Sequence, residues 1–299
     1  MRINGNQLIP DFVEDTVSTA LQFYLTMISW PLGRFTVVPF SKSDERIVGS
    51  DARIMDLRKR TFLPFYMQFK RPFGYLDKSS SKIIKTRKKL KLNTSPCSLY
   101  FDLRRKTKKQ TDFQHNILFD LNASSPFSGG DKGFYVCPLF LDKLTYFLNM
   151  RMSGLGRFWR NPFFFEDSEV FTNNGIIRFE QVPTLPSHVT IVPHAKVTSA
   201  NHKYSFDENG NQVCFHSPLV VEGENLNLAQ RLNNIQGDFK NDDNNVTPDN
   251  AIELLQMISE PFEGFEIDVE YPVVSWLDFG RFLKTNYDIE QFAFVKEID

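Results

Sequence analysis

One short run, residues 133–140 (GFYVCPLF), constrains the fold more than any other feature of this 299-residue chain. It is apolar at nearly every position, and it is too short for a buried helix. A strand with this composition is covered on both faces, as in the sheets of α/β proteins. Ahead of it, the apolar spacing predicts a helix over 11–28, a strand over 34–40 and a helix over 114–121. The sequence therefore predicts an α/β fold.

A second pattern predicts a hairpin between these elements. Apolar runs over 52–57 and 62–67 flank the polar residues 58–61 (RKRT). Folding the chain about Lys59 and Arg60 brings Asp51 opposite Gln68. Pairing Gln68 with Asp56 instead would place the turn at Phe62, inside an apolar run. Because side chains alternate along a strand, Asp51, Gln68 and Lys70 are expected on one face.

These residue types suit hydrolysis of a phosphodiester. Carboxylates such as Asp51 and the first-helix Glu14 hold a hard cation, Mg²⁺ or Mn²⁺, through oxygen. The amide oxygen of Gln68 or the carbonyl of Met67 completes the shell, and Lys70 orients water or stabilises developing negative charge. Glu45 is a rival to Glu14 because it lies six residues before Asp51.

The set Gly49-x-Asp51, Gln68-Phe69-Lys70-Arg71 and Glu14 resembles the PD-(D/E)xK, or restriction-endonuclease-like, superfamily in its QxK variant. The longer string from Gly49 to Pro72, followed by QHNILFDL at 114–121 and YVCP at 135–138, also resembles a group of uncharacterised bacterial proteins. The resemblance implies a restriction-endonuclease-like αβββαβ core and a metal-dependent DNA endonuclease, plausibly an antiphage defence or restriction effector. It further implies that Glu14, Asp51, Gln68 and Lys70 are catalytic, and that the first three hold the metal.

One departure from the family pattern leaves an alternative open. Gln68 lacks the charge of the usual Glu, so the domain could be a catalytically silent nucleic-acid-binding or protein-interaction subunit on the same fold.

Charge is distributed unevenly along the chain. Residues 70–110 contain 14 Lys and Arg against two Asp, whereas residues 207–299 contain 19 acidic against five basic residues. A basic segment beside a phosphodiesterase site predicts contacts with DNA phosphates. The predicted contacts are Arg71, Lys82, Lys85, Arg87, Lys88, Lys89, Lys91, Arg104, Arg105, Lys106, Lys108, Lys109 and His115.

The resemblance ends before the middle of the chain and so suggests two domains. Residues 1–140 would form the nuclease-like core with a basic insertion over about 71–110. Residues 141–299 would form an acidic, mixed α+β extension that regulates the core, by masking its basic segment, or binds partners. Its predicted elements are helices over 141–150, 225–235 and 248–260 and strands over 189–192, 203–206, 212–215 and 292–295.

The composition excludes several classes of protein. Cys97, Cys137 and Cys214 are too few and too scattered for a disulfide framework or a zinc site. The amino terminus does not resemble a signal peptide, and no run approaches the length of a membrane span. We therefore expect a cytoplasmic protein that binds DNA and no membrane; a protein partner in a defence complex and self-association stay open.

Overall fold

The computed structural model describes residues 1–29, 36–39, 60–108, 110–127, 131–150, 176–182, 184–221, 225–240 and 245–297. The strands are β1 Arg2–Asn4, β2 Gln7–Ile9, β3 Thr36–Pro39, β4 Arg60–Phe69, β5 Phe73–Leu76, β6 Cys97–Asp102, β7 Gly133–Pro138, β8 His188–Ile191, β9 Lys203–Asp207, β10 Cys214–His216, β11 Val220–Val221 and β12 Glu290–Glu297. The helices are α1 Glu14–Ser29, α2 Lys82–Lys89, α3 Gln114–Ala123, α4 Lys143–Met150, α5 Leu228–Lys240, α6 Ala251–Ser259 and α7 Pro272–Tyr287.

A five-stranded mixed sheet, in the order β3-β12-β4-β7-β8, forms the centre of the fold. The central strand β4 runs antiparallel to β12 and parallel to β7. Every residue of β7 is buried, as the apolar run predicts. The prediction of an α/β fold is thus confirmed at the level of class: the protein is mixed α/β with a mixed sheet.

The predicted hairpin is described only in its second half. Residues 62–67 lie within β4, whereas residues 52–57, together with Glu45, Asp51 and Asp56, lie outside the described residues. One edge of β4 pairs with β12 from Arg60 to Met67. The other edge bonds to Val246 at Phe62 and to β7 from Tyr66 onward. Residues from distant parts of the chain thus occupy both edges of β4, so the predicted pairing of 62–67 with 52–57, and the placement of Asp51 opposite Gln68 that it implied, is wrong.

The basic segment is built into a second, seven-stranded antiparallel sheet, ordered β1-β2-β5-β6-β9-β10-β11. It contributes β5, α2 and β6. Strand β6 pairs with β9 over five residues. Each sheet therefore contains strands from both sides of residue 140, and the predicted domain boundary does not coincide with a boundary between the sheets.

Aromatic side chains fill the core between these layers. In the central sheet the Phe65 ring centre lies 5.6 Å from that of Phe292 and 6.5 Å from that of Phe134. The two sheets meet where Phe101 packs on Tyr135 at 5.2 Å. Burial of such rings provides most of the stabilisation that a core of this size needs.

Among the described residues, no helix combines the length and apolar character that crossing a membrane requires.

Candidate active site at the end of the central strand

The end of β4 places two polar side chains in a buried position. Gln68 and Lys70 are two residues apart and therefore project from the same face of the strand. Gln68 is 1% exposed, and its Nε2 donates to the Phe69 carbonyl at 3.1 Å. Its Oε1 is buried without a hydrogen-bond partner among the described residues. A buried amide oxygen without a donor is costly, so this atom is a candidate ligand atom.

Lys70 is held in place by the neighbouring layers. Its backbone N–H donates to the Val136 carbonyl of β7 at 2.9 Å, and its Nζ donates to Gln114 Oε1 of α3 at 3.0 Å. The ammonium lies 5.7 Å from the Tyr135 ring centre. Gln114 in turn donates to the carbonyl of Tyr287. The lysine is only 2% exposed, so it is a fixed cation in a low-dielectric setting.

The environment shifts the pKa of the Lys70 ammonium. Burial lowers the pKa of Lys70, while the negative charges of Glu14 and Asp288 oppose that shift and the positive charge of Arg104 adds to it. A titratable group with a pKa perturbed by burial and by a specific carboxylate is a marker of functional sites. Glu14 is therefore the described carboxylate with the strongest electrostatic effect on Lys70.

Glu14 is the first residue of α1 and lines an open cleft of about 420 Å³. The cleft is also lined by Asp15, Asp102, Arg71, Val13, Phe73 and Phe101. Arg71 follows Lys70 directly, lies 4.8 Å above the Phe73 ring and donates to the Phe12 carbonyl at 3.5 Å. The cleft therefore combines acidic groups with one arginine beside the end of β4.

The predicted metal ligands are described only in part. Glu14 supplies a half-exposed carboxylate and Gln68 a buried amide oxygen, and both are ligand types that Mg²⁺ or Mn²⁺ accepts. Asp51 lies outside the described residues. Within the described part of the chain, no three His, Cys, Asp or Glu residues are arranged to hold a metal ion. Glu14 at the start of α1 and Gln68 on β4 are thus ligand types that suit such a site, and Asp51 is needed to complete it.

Two of the predicted nucleic-acid contacts are not available to a ligand. Arg87 is 0% exposed and donates to carbonyl oxygens of Asn93, Ser205 and Gln212. His115 is 2% exposed, with Nδ1 bonded to the Tyr135 hydroxyl and Nε2 to the Ala195 carbonyl, both at 2.9 Å. Burial lowers the pKa of His115 to about 4, so the ring is neutral at pH 7. These two residues hold the fold together and are removed from the predicted interface.

The other described members of that set are accessible. Arg71 is half-buried, and the exposed residues are Lys82, Lys85, Lys88, Lys89, Lys91, Arg104, Arg105, Lys106 and Lys108. Lys109 lies outside the described residues. Two of the cations are paired within the protein, Lys88 with Asp77 and Arg104 with Asp288, each at 3.0 Å. The other exposed cations, among them Lys82, Lys85 and Lys89 of α2, have no ion-pair partner among the described residues and are open to a polyanion.

Sequence reasoning missed Gln114, which fixes the Lys70 ammonium. A polar residue at the start of a predicted apolar helix was a visible signal for it. The contribution of Tyr287 had no such signal, because it acts through a backbone carbonyl far along the chain.

No family model, no curated protein and no solved structure matches this chain. The functional assignment therefore depends on the motif and on the geometry of the site.

Proposed function

We propose that the protein is a divalent-metal-dependent nuclease that hydrolyses phosphodiester bonds of DNA, with a restriction-endonuclease-like core around β4. The observation that carries the proposal is a pair of buried polar side chains at the end of β4: the Gln68 amide oxygen, which has no donor among the described residues, and, two positions further on, the Lys70 ammonium held by Gln114. Burying both an unpaired acceptor and a lysine within three residues of one strand end is costly, which is unusual for a purely structural position.

Each residue has a role that its position supports. Glu14 and the Oε1 of Gln68, with Asp51, would hold the cation, which lowers the pKa of a bound water and neutralises charge on the phosphate. Lys70 stabilises negative charge that develops on the phosphate and orients the attacking water. Gln114 keeps the ammonium in position through its 3.0 Å hydrogen bond, so little reorganisation is needed during the reaction.

A cleavage assay on plasmid and linear DNA with Mg²⁺ or Mn²⁺ tests the proposal. Lys70→Met keeps the length of the side chain but removes its charge, and we expect cleavage to fall about a hundredfold or more. Asp51→Asn should also abolish cleavage while DNA binding persists. Lys143→Ala, an exposed lysine on α4 outside the basic segment, is the control and should cut normally. Equal cleavage by all four proteins would refute the assignment.

Gln68→Glu gives an independent readout of the metal site. A carboxylate at this 1% exposed position is strained without a cation, because burial penalises its charge. The variant should therefore have a lower Tm than wild type in EDTA and regain it with Mn²⁺. Gln68→Leu should show no such metal-dependent recovery. If Mn²⁺ leaves the Tm of Gln68→Glu unchanged, the end of β4 does not hold a cation.

A second candidate function is DNA binding without cleavage. The observation that favours it is the neutral Gln68 at a position where an acid would bind metal more tightly. This function predicts that wild type binds DNA but cuts none with either metal, and that Gln68→Glu does not restore cleavage.

A further inference from the structure

A separate cleft of about 290 Å³ opens where α2 crosses β9 and β10 of the seven-stranded sheet. Its polar lining consists of Lys82, Thr86, Asn201, Lys203, His216 and Ser217. Ile83 and Leu219 supply the apolar part, and none of the described lining residues is acidic. Every polar side chain in the lining can donate a hydrogen bond, so the cleft is suited to a ligand that only accepts them.

The electrostatics beneath and beside the cleft favour an anion. Arg87 lies under it, fully buried, and its described acceptors are neutral oxygens of Asn93, Ser205 and Gln212. Its charge is thus not cancelled by a direct ion pair in the described part of the chain. The nearest carboxylate to influence it, Asp207, accepts the backbone N–H groups of a turn.

The two lysines of the lining add to this charge. Lys82 is exposed at the start of α2. Lys203 is paired with Asp102, and its ammonium lies 5.1 Å from the ring centre of Tyr100. Two carboxylates, Asp102 and Asp207, therefore stand against the three cations Lys82, Arg87 and Lys203, and the cleft remains positive.

His216 presents a directed donor to the same space. It lies opposite Lys203 on the neighbouring strand, so the two side chains share a face. Its Nε2 is 2.8 Å from the Ser205 hydroxyl, which also accepts from Arg87 at 3.2 Å. Because arginine only donates, the hydroxyl proton is free to point at Nε2. The ring proton is then on Nδ1, where it can bind a ligand.

We propose that this cleft binds a phosphate group, through the Lys82 and Lys203 ammonium groups, the His216 ring and the hydroxyls of Thr86 and Ser217. A phosphate fits because it offers several strong acceptor oxygens and a negative charge. The group could belong to a DNA backbone or to a free phosphorylated metabolite such as a nucleotide. The inference does not depend on cleavage at the end of β4, because it uses none of the residues of that site.

Titration with inorganic phosphate, followed by NMR of the histidine side chains, tests the proposal on the full-length protein. The His216 signals should shift on addition of phosphate, whereas those of His188, which is buried elsewhere, should not. Lys82→Ala should weaken phosphate binding about tenfold, since it removes a charged hydrogen bond. Lys143→Ala, an exposed lysine on α4 outside the lining, should leave the affinity unchanged.

Two further ligands identify the source of the phosphate. If a short duplex without terminal phosphates displaces inorganic phosphate, the cleft holds a backbone phosphate of DNA. If only adenosine 5′-monophosphate does so, the ligand is a small phosphorylated molecule. The proposal is overturned if His216 responds no more to phosphate than to chloride, or if Lys82→Ala and Lys143→Ala bind phosphate equally.

Discussion

Arg87 is a buried charged residue with a structural role. Its guanidinium joins three separate segments, since it bonds to carbonyl oxygens of Asn93, of Ser205 on β9 and of Gln212. These oxygens are partly or fully withdrawn from water and need a donor. The residue therefore fixes α2 onto the seven-stranded sheet.

Replacing this residue should be costly. Arg87→Met fills much of the same space but leaves the carbonyl oxygens without their donor, so we expect the free energy of unfolding to fall by about 2–4 kcal/mol. Urea denaturation measures the difference. Lys85→Ala, on the exposed side of the same helix, should change it by less than about 0.5 kcal/mol. Equal losses in the two variants would show that Arg87 is not structural.

The sequence contained a signal that separates Arg87 from its neighbours. In a helix over 82–89, Ile83, Ile84 and Arg87 share one face, and all three are buried. The net charge of the segment does not reveal this periodicity. By contrast, the shared face of Gln68 and Lys70 followed from strand alternation alone, whereas their burial depends on layers contributed by distant residues.

At the scale of elements, β12 supports the strand that leads into the site. It pairs with β4 from Glu290↔Met67 to Glu297↔Arg60 and so lies beside the strand that carries Gln68. Its apolar residues predicted a strand over 292–295, which is confirmed. Its partner could not be predicted, because the pairing joins opposite ends of the chain and no local turn specifies it.

A cavity in the core beside the pairing of β4 with β12 should destabilise the whole fold. Phe292 is 0% exposed and stacks on Phe65 with ring centres 5.6 Å apart. Phe292→Ala should lower the free energy of unfolding by about 3–5 kcal/mol, because the site cannot close completely around the smaller side chain. Chemical denaturation provides the measurement. Phe147→Ala removes a ring that is 48% exposed and should cost much less; comparable losses would contradict a central role for β12.

Helix α7 is an element that sequence analysis did not assign. Val273, Val274 and Gly280 have low helix propensity, so the local signal is weak. The burial of one face stabilises the helix instead. Trp276, Phe279 and Leu283 share that face, and the Trp276 Nε1 donates to the Ala251 carbonyl at 3.0 Å. Tertiary packing outweighs the propensity of single residues here.

Across the whole molecule, the acidic and basic parts of the sequence are joined rather than separate. Arg104 of the basic segment pairs with Asp288 at 3.0 Å, and β9 and β12 connect the later part of the chain to both sheets. Removing residues 207–299 would take away β12, so a deletion of this kind cannot test whether the acidic part masks the basic one. Substitution of exposed charges is the appropriate approach.

The basic surface can be tested through its salt dependence. Lys85, Lys89 and Lys91 are exposed beside one another at α2, and replacing all three with Ala should weaken DNA binding equally for every sequence. For each phosphate that is no longer neutralised by a lysine, the slope of log affinity against log salt should become shallower by about 0.9. Arg87 is left intact, so that the fold is not disturbed. Lys143→Ala, an exposed lysine on α4, is the control and should keep the wild-type slope. A triple variant with the wild-type slope would mean that these lysines face solvent or a protein partner, and DNA would have to approach the end of β4 along another surface.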